Sequence, residues 1–366
     1  MSDPGASAAA SSVADLVASS DVIVCCGSGG VGKTTTAAVV ALEAARGGRR
    51  VVVVTIDPAR RLADALGLGG GLSSAPQRID GVTDSSGGAG EMWAMMLDTA
   101  ATFDGLVRRY AEDDEQIERI LSNGFYRNMA GAMSGTQEYM AAETLHSLHY
   151  DDRFDLVVVD TPPSRNALDF LDAPGVLSRF LDHRIFKLAM LPTRSGLKIF
   201  GAAAQPVFRA IGRVVGSDVL ADSLAFFQAF SGMETGFRER ADDVVALLRA
   251  QQTSFVVVAS AKRDTITEAV WFARQLDGQG VGVGAAIVNR LHPEFGEVDL
   301  PDAPALSALR DNLTELRALR RAEIEALAPL VDAVDPAPVA MVPLLGDDVH
   351  DLDSLNQIAE QLFGGS

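Results

Sequence analysis

Gly27-Ser28-Gly29-Gly30-Val31-Gly32-Lys33-Thr34-Thr35 is the stretch from which the fold is read. It has a glycine, four residues, then Gly-Lys-Thr, the pattern of a phosphate loop. Its flanks agree. Asp21-Val22-Ile23-Val24-Cys25-Cys26 reads as a short apolar strand. Lys33 to Arg46 reads as a helix with an Ala/Val/Leu face and no breaker. Glycines let the backbone fold tightly, so that its N–H groups point at anionic oxygens. The helix start adds its positive dipole end. In such a loop Lys33 is a point charge for terminal phosphates, and the Thr34 hydroxyl is a ligand for Mg²⁺. Residues Gly27 to Thr35 are therefore the expected phosphate-binding set. The plainer alternative, a Gly-rich turn before a helix, is set aside because motif, strand and helix agree.

Outward from the loop, apolar runs alternate with helical stretches. The runs are Val22–Cys26, Val51–Ile56, Trp93–Leu97, Leu156–Val159, Phe255–Ala259, Ala285–Val288 and Val339–Val342. Such Val-rich runs suit strands buried on both faces. Helices are expected at Lys33–Arg46, Thr265–Leu276, Ala305–Leu327 and Asp353–Leu362, and Thr83–Gly90 reads as a surface loop. The fold class is α/β: a mostly parallel central sheet flanked by helices. Two stretches break the rhythm. Thr99–Tyr150 and roughly Leu177–Ala250 hold no good strand, are helical in pattern, and are rich in Phe, Leu and Met. The expected organisation is a flexible tail over 1–20, with a helical turn near Val13–Val17. A nucleotide-binding domain would follow from 21–98, 151–176 and 251–366. A helical subdomain would be inserted from 99–150 and 177–250. Its apolar residues either pack its own core or line a groove that responds to nucleotide.

Three further segments fall where a nucleotide switch needs them. Thr55-Ile56-Asp57-Pro58-Ala59-Arg60 ends a strand with a carboxylate that can orient an attacking water. Leu156-Val157-Val158-Val159-Asp160-Thr161-Pro162-Pro163 is an apolar strand ending in Asp, the form of a Walker B carboxylate that holds Mg²⁺ directly or through water. The loop after it can sense a terminal phosphate. Ala285-Ala286-Ile287-Val288-Asn289-Arg290 places an amide at a strand end, suited to an adenine edge. Singly, an Asp at a strand end is more often a cap or turn residue. The phosphate loop gives the set its force.

On these residues the chain resembles the arsenite-pump ATPase family, which includes the eukaryotic ATPase that guides tail-anchored membrane proteins and anion-transporting ATPases of bacteria. Gly29-Gly30-Val31-Gly32-Lys33-Thr34-Thr35 resembles its P-loop, Asp57-Pro58-Ala59 its switch I and Asp160-Thr161-Pro162-Pro163 its switch II. The extended forms of both switches resemble bacterial, actinobacterial-type members most. Met133-Ser134-Gly135-Thr136-Gln137-Glu138 resembles the family's Pro-Gly-Ile-Asp-Glu segment, and Val342-Pro343-Leu344 its late adenine loop. The resemblance runs from about Val22 to the C-terminus and implies ATP, Mg²⁺ and a face-to-face dimer. It also implies Asp57 as the water-orienting residue, with Asn289, Arg290 and Pro343 near the base. Three departures stand out. Ser28 occupies the place of a lysine that in the family reaches the opposite subunit's phosphates, so a homodimer is expected to turn over more slowly, and a paralogous partner could supply the cation. Ala261-Lys262 replaces a Pro-Glu. The cysteines of the zinc bridge and of arsenite binding are missing, so neither site is expected.

Bulk properties narrow the partners. The chain has 366 residues and a net charge of −18, which argues against nucleic acid or an anionic membrane surface as a direct ligand. Its two cysteines, Cys25 and Cys26, are adjacent on one strand and face opposite ways, which suits small buried hydrophobes. No secretory signal or long apolar span is read, so the location is expected to be cytoplasmic, with any membrane association through a partner. His146 and His149 are three apart but lack a convincing third ligand. The expected activity is a soluble Mg²⁺-dependent ATPase. Its dimer closes on ATP and opens after hydrolysis, driving a helical subdomain that handles a hydrophobic protein client or membrane partner. A low-turnover regulatory subunit of a heteromeric ATPase and the motor of an anion pump are the rival readings. A partition-type ATPase fits less well, because those chains are generally shorter and lack large apolar inserts.

Overall fold

A computed structural model describes residues 12–57, 59–82, 90–129, 136–162, 171, 217–296, 304–346 and 348–364. The chain opens with α1 (Val13–Ser19), β1 (Val22–Cys26), α2 (Lys33–Arg46), β2 (Arg50–Thr55), α3 (Arg61–Ala65), β3 (Gln77–Arg78) and β4 (Glu91–Met96). Helices α4 (Thr99–Tyr110), α5 (Asp114–Leu121), α6 (Gly124–Met129) and α7 (Thr136–His149) precede β5 (Leu156–Asp160). Then come α8 (Ser217–Ala229), α9 (Glu234–Leu248), β6 (Thr253–Ser260), α10 (Arg263–Gly278) and β7 (Val283–Leu291). The described chain closes with α11 (Ser307–Ala326), α12 (Ala328–Val334), β8 (Val339–Pro343) and α13 (Leu352–Phe363).

The eight strands form one sheet in the order β3-β4-β2-β5-β1-β6-β7-β8, parallel except for the short β3–β4 pair. This is the α/β architecture read from the sequence. β1 lies between β5 and β6, with Val22 beside Val157 and Thr253. All five of its residues are fully buried, as β-branched side chains covered on both faces should be. Cys25 and Cys26 are free, buried thiols within it, and burial pushes Cys26 up to about 12. Helix α2 runs along the sheet with a face of Ala, Val and Leu. Its small alanines allow a close approach to β1, β2 and β5.

Two compact units divide the chain. One holds 1–96, 147–168 and 249–366, the other 97–146 and 169–248. The first contains the sheet. Within it, α1 stands where a helical turn was expected near Val13–Val17, and the rest of the 1–20 tail reading, over 1–11, lies outside the described residues. Ser12 caps the helix through Asp15, and Val13, Leu16 and Val17 are buried in the sheet core. Three apolar residues at i, i+3 and i+4 are enough to fix so short a helix by packing. The Thr83–Gly90 loop reading falls almost wholly outside the described residues.

The second unit is helical throughout its described part. Phe103, Tyr126, Phe226, Phe230, Met233 and Phe237 form its core, with the Phe230 and Phe237 rings 4.9 Å apart. The apolar residues from Phe180 to Val215 lie outside the described residues. Gln116 ties α5 to the end of α8 by donating to the Ala229 carbonyl at 2.7 Å. An ion pair is buried in this unit. Arg240 on α9 donates to both carboxylate oxygens of Glu143 on α7, at 2.7 and 2.6 Å. His146 Nε2 lies 3.4 Å from Arg240 Nη1 and is buried, not exposed at a helix end. Arg240→Ala would leave Glu143 charged without its bidentate partner, and is expected to destabilise this unit by about 3–5 kcal/mol. Replacing both residues with leucine should recover most of that loss. Chemical denaturation of the two variants checks it, and an unchanged midpoint for Arg240→Ala would refute it.

Candidate functional site

Parallel strands deliver their carboxyl ends to one edge, where ligands of such sheets bind. Here that edge gathers the loop after β1, Asp57 after β2, Asp160 at the end of β5, Asn289 and Arg290 late in β7, and Pro343 at the end of β8. The loop's shape demands glycine at two points. A Cβ on Gly27 would sit 2.1 Å from the Val258 carbonyl oxygen. One on Gly32 would sit 2.2 Å from Asn289 Nδ2, and Gly32 also has φ +95°. Gly32 caps α2 without any side-chain hydrogen bond. The first-turn N–H groups of α2 are therefore left for an anion. Gly29 and Gly30 are exposed, while Val31 anchors the loop in the core.

Lys33 is only 6% exposed. Its Nζ donates to the carbonyls of Gly27 at 2.8 Å and Ser28 at 2.7 Å, folding the lysine back under its own loop. Burial pulls its pKa below the ordinary lysine value, with Asp160 pulling the other way. Asp160 is fully buried. One oxygen, Oδ2, accepts from Thr34 Oγ1 and from Thr55 Oγ1, both at 2.9 Å. The other, Oδ1, is buried and accepts no hydrogen bond. Burial raises the carboxyl to about 6, against the two threonine bonds. Thr55 Oγ1 also accepts from the Asp57 amide at 3.3 Å. Asp57 Oδ1 takes the Ala59 amide at 2.9 Å, and Oδ2 pairs with Arg61 at 3.4 Å. Thr34, Asp160, Thr55, Asp57 and Arg61 thus form one linked run across α2, β5, β2 and α3. Thr161 turns away, donating from Oγ1 to the Cys25 carbonyl at 2.7 Å. Thr35 lies in the first turn of α2, Pro162 is half-buried, and Pro163 lies outside the described residues.

Asn289 and Arg290 contact the loop itself. Asn289 Nδ2 donates to the Val31 carbonyl at 3.2 Å, and Arg290 Nη1 to the Gly30 carbonyl at 3.0 Å. Arg290 has φ +61°, a left-handed conformation uncommon for a non-glycine residue. Pro343 sits beside Leu291 in register. Ser28 donates its hydroxyl to Glu268 on α10.

Thr55, Glu268 and Arg61 were not singled out by sequence reading. Thr55 and Arg61 sit inside or beside the switch I motif, so their positions were at least visible. Glu268 is 240 residues from Ser28, and no local pattern announces it.

A buried carboxylate with one unengaged oxygen beside a threonine hydroxyl suits a hard divalent cation, which takes oxygen ligands. The adjacent amide cradle and lysine suit a polyphosphate. Fold and site together define a P-loop nucleotide-binding protein. The model of the anion-transporting ATPase family matches residues 20–364, and the chain belongs to that family. It is similar to the "ATPase get3" of Aspergillus terreus, 26% identical over 316 residues that cover 84% of this chain and 80% of the relative. The "ATPase GET3" of Paracoccidioides brasiliensis (strain Pb03) is 26% identical over 317 residues, covering 85% and 80%. The "ATPase GET3" of Malassezia globosa is 24% identical over 312 residues, covering 85% and 81%. Among the described residues no helix is long and apolar enough to cross a membrane, and no group of three or more His, Cys, Asp or Glu could hold a metal ion.

Proposed function

We propose that the chain hydrolyses ATP to ADP and phosphate, and that its helical unit responds to the nucleotide. The observation that carries this reading is the linked run from Thr34 through Asp160 and Thr55 to Asp57. It joins the expected cation ligand to the expected water-orienting carboxylate. Loop amides from Gly27 to Gly32 and the Lys33 ammonium hold the phosphates. To reach them, Lys33 gives up the carbonyls of Gly27 and Ser28. Thr34 and Asp160 would hold Mg²⁺, directly or through water, and the ion would supply charge neutralisation at the phosphates. Asp57 orients a water in line with the terminal phosphorus. The water oxygen forms the new P–O bond as the Asp57 carboxylate takes its proton. The bond to the β–γ bridging oxygen breaks, and ADP leaves with the electron pair.

Asn289, Arg290 and Pro343 stand as candidate adenine contacts, and Pro343, which makes no bond to the loop, is the one most open to that role. The finer assembly follows the family resemblance: a dimer, alike or with a paralogous ATPase, whose closing and opening drives the helical unit against a hydrophobic client or membrane partner. One observation favours the slower, regulatory reading. Ser28 is neutral and engaged by a carboxylate, so this chain offers no loop cation to a second subunit. Phosphate release by the pure chain in Mg²⁺ and ATP tests the proposal. Steady release that stops on chelating Mg²⁺ supports hydrolysis. Nucleotide binding without release would favour the regulatory subunit, and absence of binding would end both.

A further inference from the structure

We propose that Arg61 binds the terminal phosphate of the nucleotide, bringing to the site, from switch I of the same chain, the positive charge that Ser28 does not offer. The proposal rests on the ATPase reading above. It starts from how the cations near the loop are used. Lys33 is held by two loop carbonyls. Arg290 is held by the Gly30 carbonyl, and Arg60 reaches back to the Gly70 carbonyl at 3.4 Å. At position 28 the hydroxyl faces the Glu268 carboxylate. Arg61 is different. Its side chain is 57% exposed, and it meets one oxygen of Asp57 at 3.4 Å. That is longer than a tight charge-assisted bond, and an exposed pair of this kind is weak. The guanidinium is therefore cheap to move.

It is also in the right place. Arg61 closes the run that begins at Thr34, so its head lies at the far end of the same chain of contacts. Its partner Asp57 is the carboxylate assigned to the attacking water, so the guanidinium stands one contact from where the terminal phosphate must lie. A cation attracts an anion placed beside it, and a planar guanidinium can meet two phosphate oxygens at once. ADP lacks the terminal phosphate. Arg61 should thus distinguish triphosphate from diphosphate, and hold the phosphate while Asp57, freed of its pair, takes the water.

Calorimetry on the full chain with Mg²⁺ tests this with two probes, ADP and the β,γ-imido analogue of ATP. The wild type should prefer the imido analogue. Arg61→Ala should lose at least about tenfold of that preference, with ADP affinity unchanged as the control for folding. Arg61→Lys should keep part of it. ATP turnover by Arg61→Ala should fall on the order of 10²-fold. If Arg61→Ala keeps the wild-type ratio of affinities, the proposal is wrong. It is equally wrong if turnover rises, because Arg61 would then be a latch on Asp57. A wild type that binds neither probe ends the ATPase reading itself, an outcome distinct from both.

Discussion

Lys33→Ala is expected to remove ATP turnover, a loss on the order of 10³-fold, while leaving the fold intact. The ammonium is the one cation rooted within the loop itself. Its present partners are the Gly27 and Ser28 carbonyls, so a polyphosphate needs only to displace backbone oxygens, not to recruit a distant side chain. Removing the ammonium leaves the loop amides, which alone orient the anion poorly against its own charge. The fold should survive because both carbonyls lie in half-exposed residues that water can reach. Phosphate release together with thermal denaturation separates the two effects. A variant that hydrolyses ATP at the wild-type rate would remove the basis for the site.

Asp57→Asn should give a different signature: ATP still bound, turnover lowered on the order of 10²–10⁴-fold. Asparagine has the same shape and keeps an oxygen for the Ala59 amide, the contact that fixes the side chain at 2.9 Å. It loses the charge that would accept a proton from water. Binding should not weaken, since a carboxylate near phosphates repels them and its removal relieves that repulsion. Direct titration of the variant with ATP should show tight binding without phosphate release. Equal turnover in variant and wild type would exclude Asp57 from the chemistry.

The parts of the fold most readable in the sequence were those with strong local punctuation. β1 and α2 begin and end at the residues expected, because a β-branched run stops at glycine and a breaker-free Ala/Val run succeeds it. The later strands extended one to three residues beyond the apolar runs, where polar residues such as Thr253 and Asn289 still pair in the sheet. The five-residue α3 and the two-residue β3 were missed. Neither is long enough to show a period, and both are held by tertiary contacts. Helix α12 was missed as well. It lies just past the expected Ala305–Leu327 helix, and Pro329 in its first turn, a proline placed where a new helix starts, was the one signal that could have separated it from α11. Of the site, the residue types were legible but their partners were not. Asp160 was readable as a strand-end carboxylate. That Thr55 would share its oxygen with Thr34, or that Glu268 would face Ser28, depends on which strands become neighbours.

The left-handed turn at Arg290 carries a consequence for how the nucleotide is met. With Asn289, it braces Val31 and Gly30 from outside the loop. Ordering a flexible glycine run on arrival of a ligand would subtract its lost backbone freedom from affinity. Here the scaffold settles that entropy during folding, so the cradle is preorganised and an incoming anion finds it already shaped.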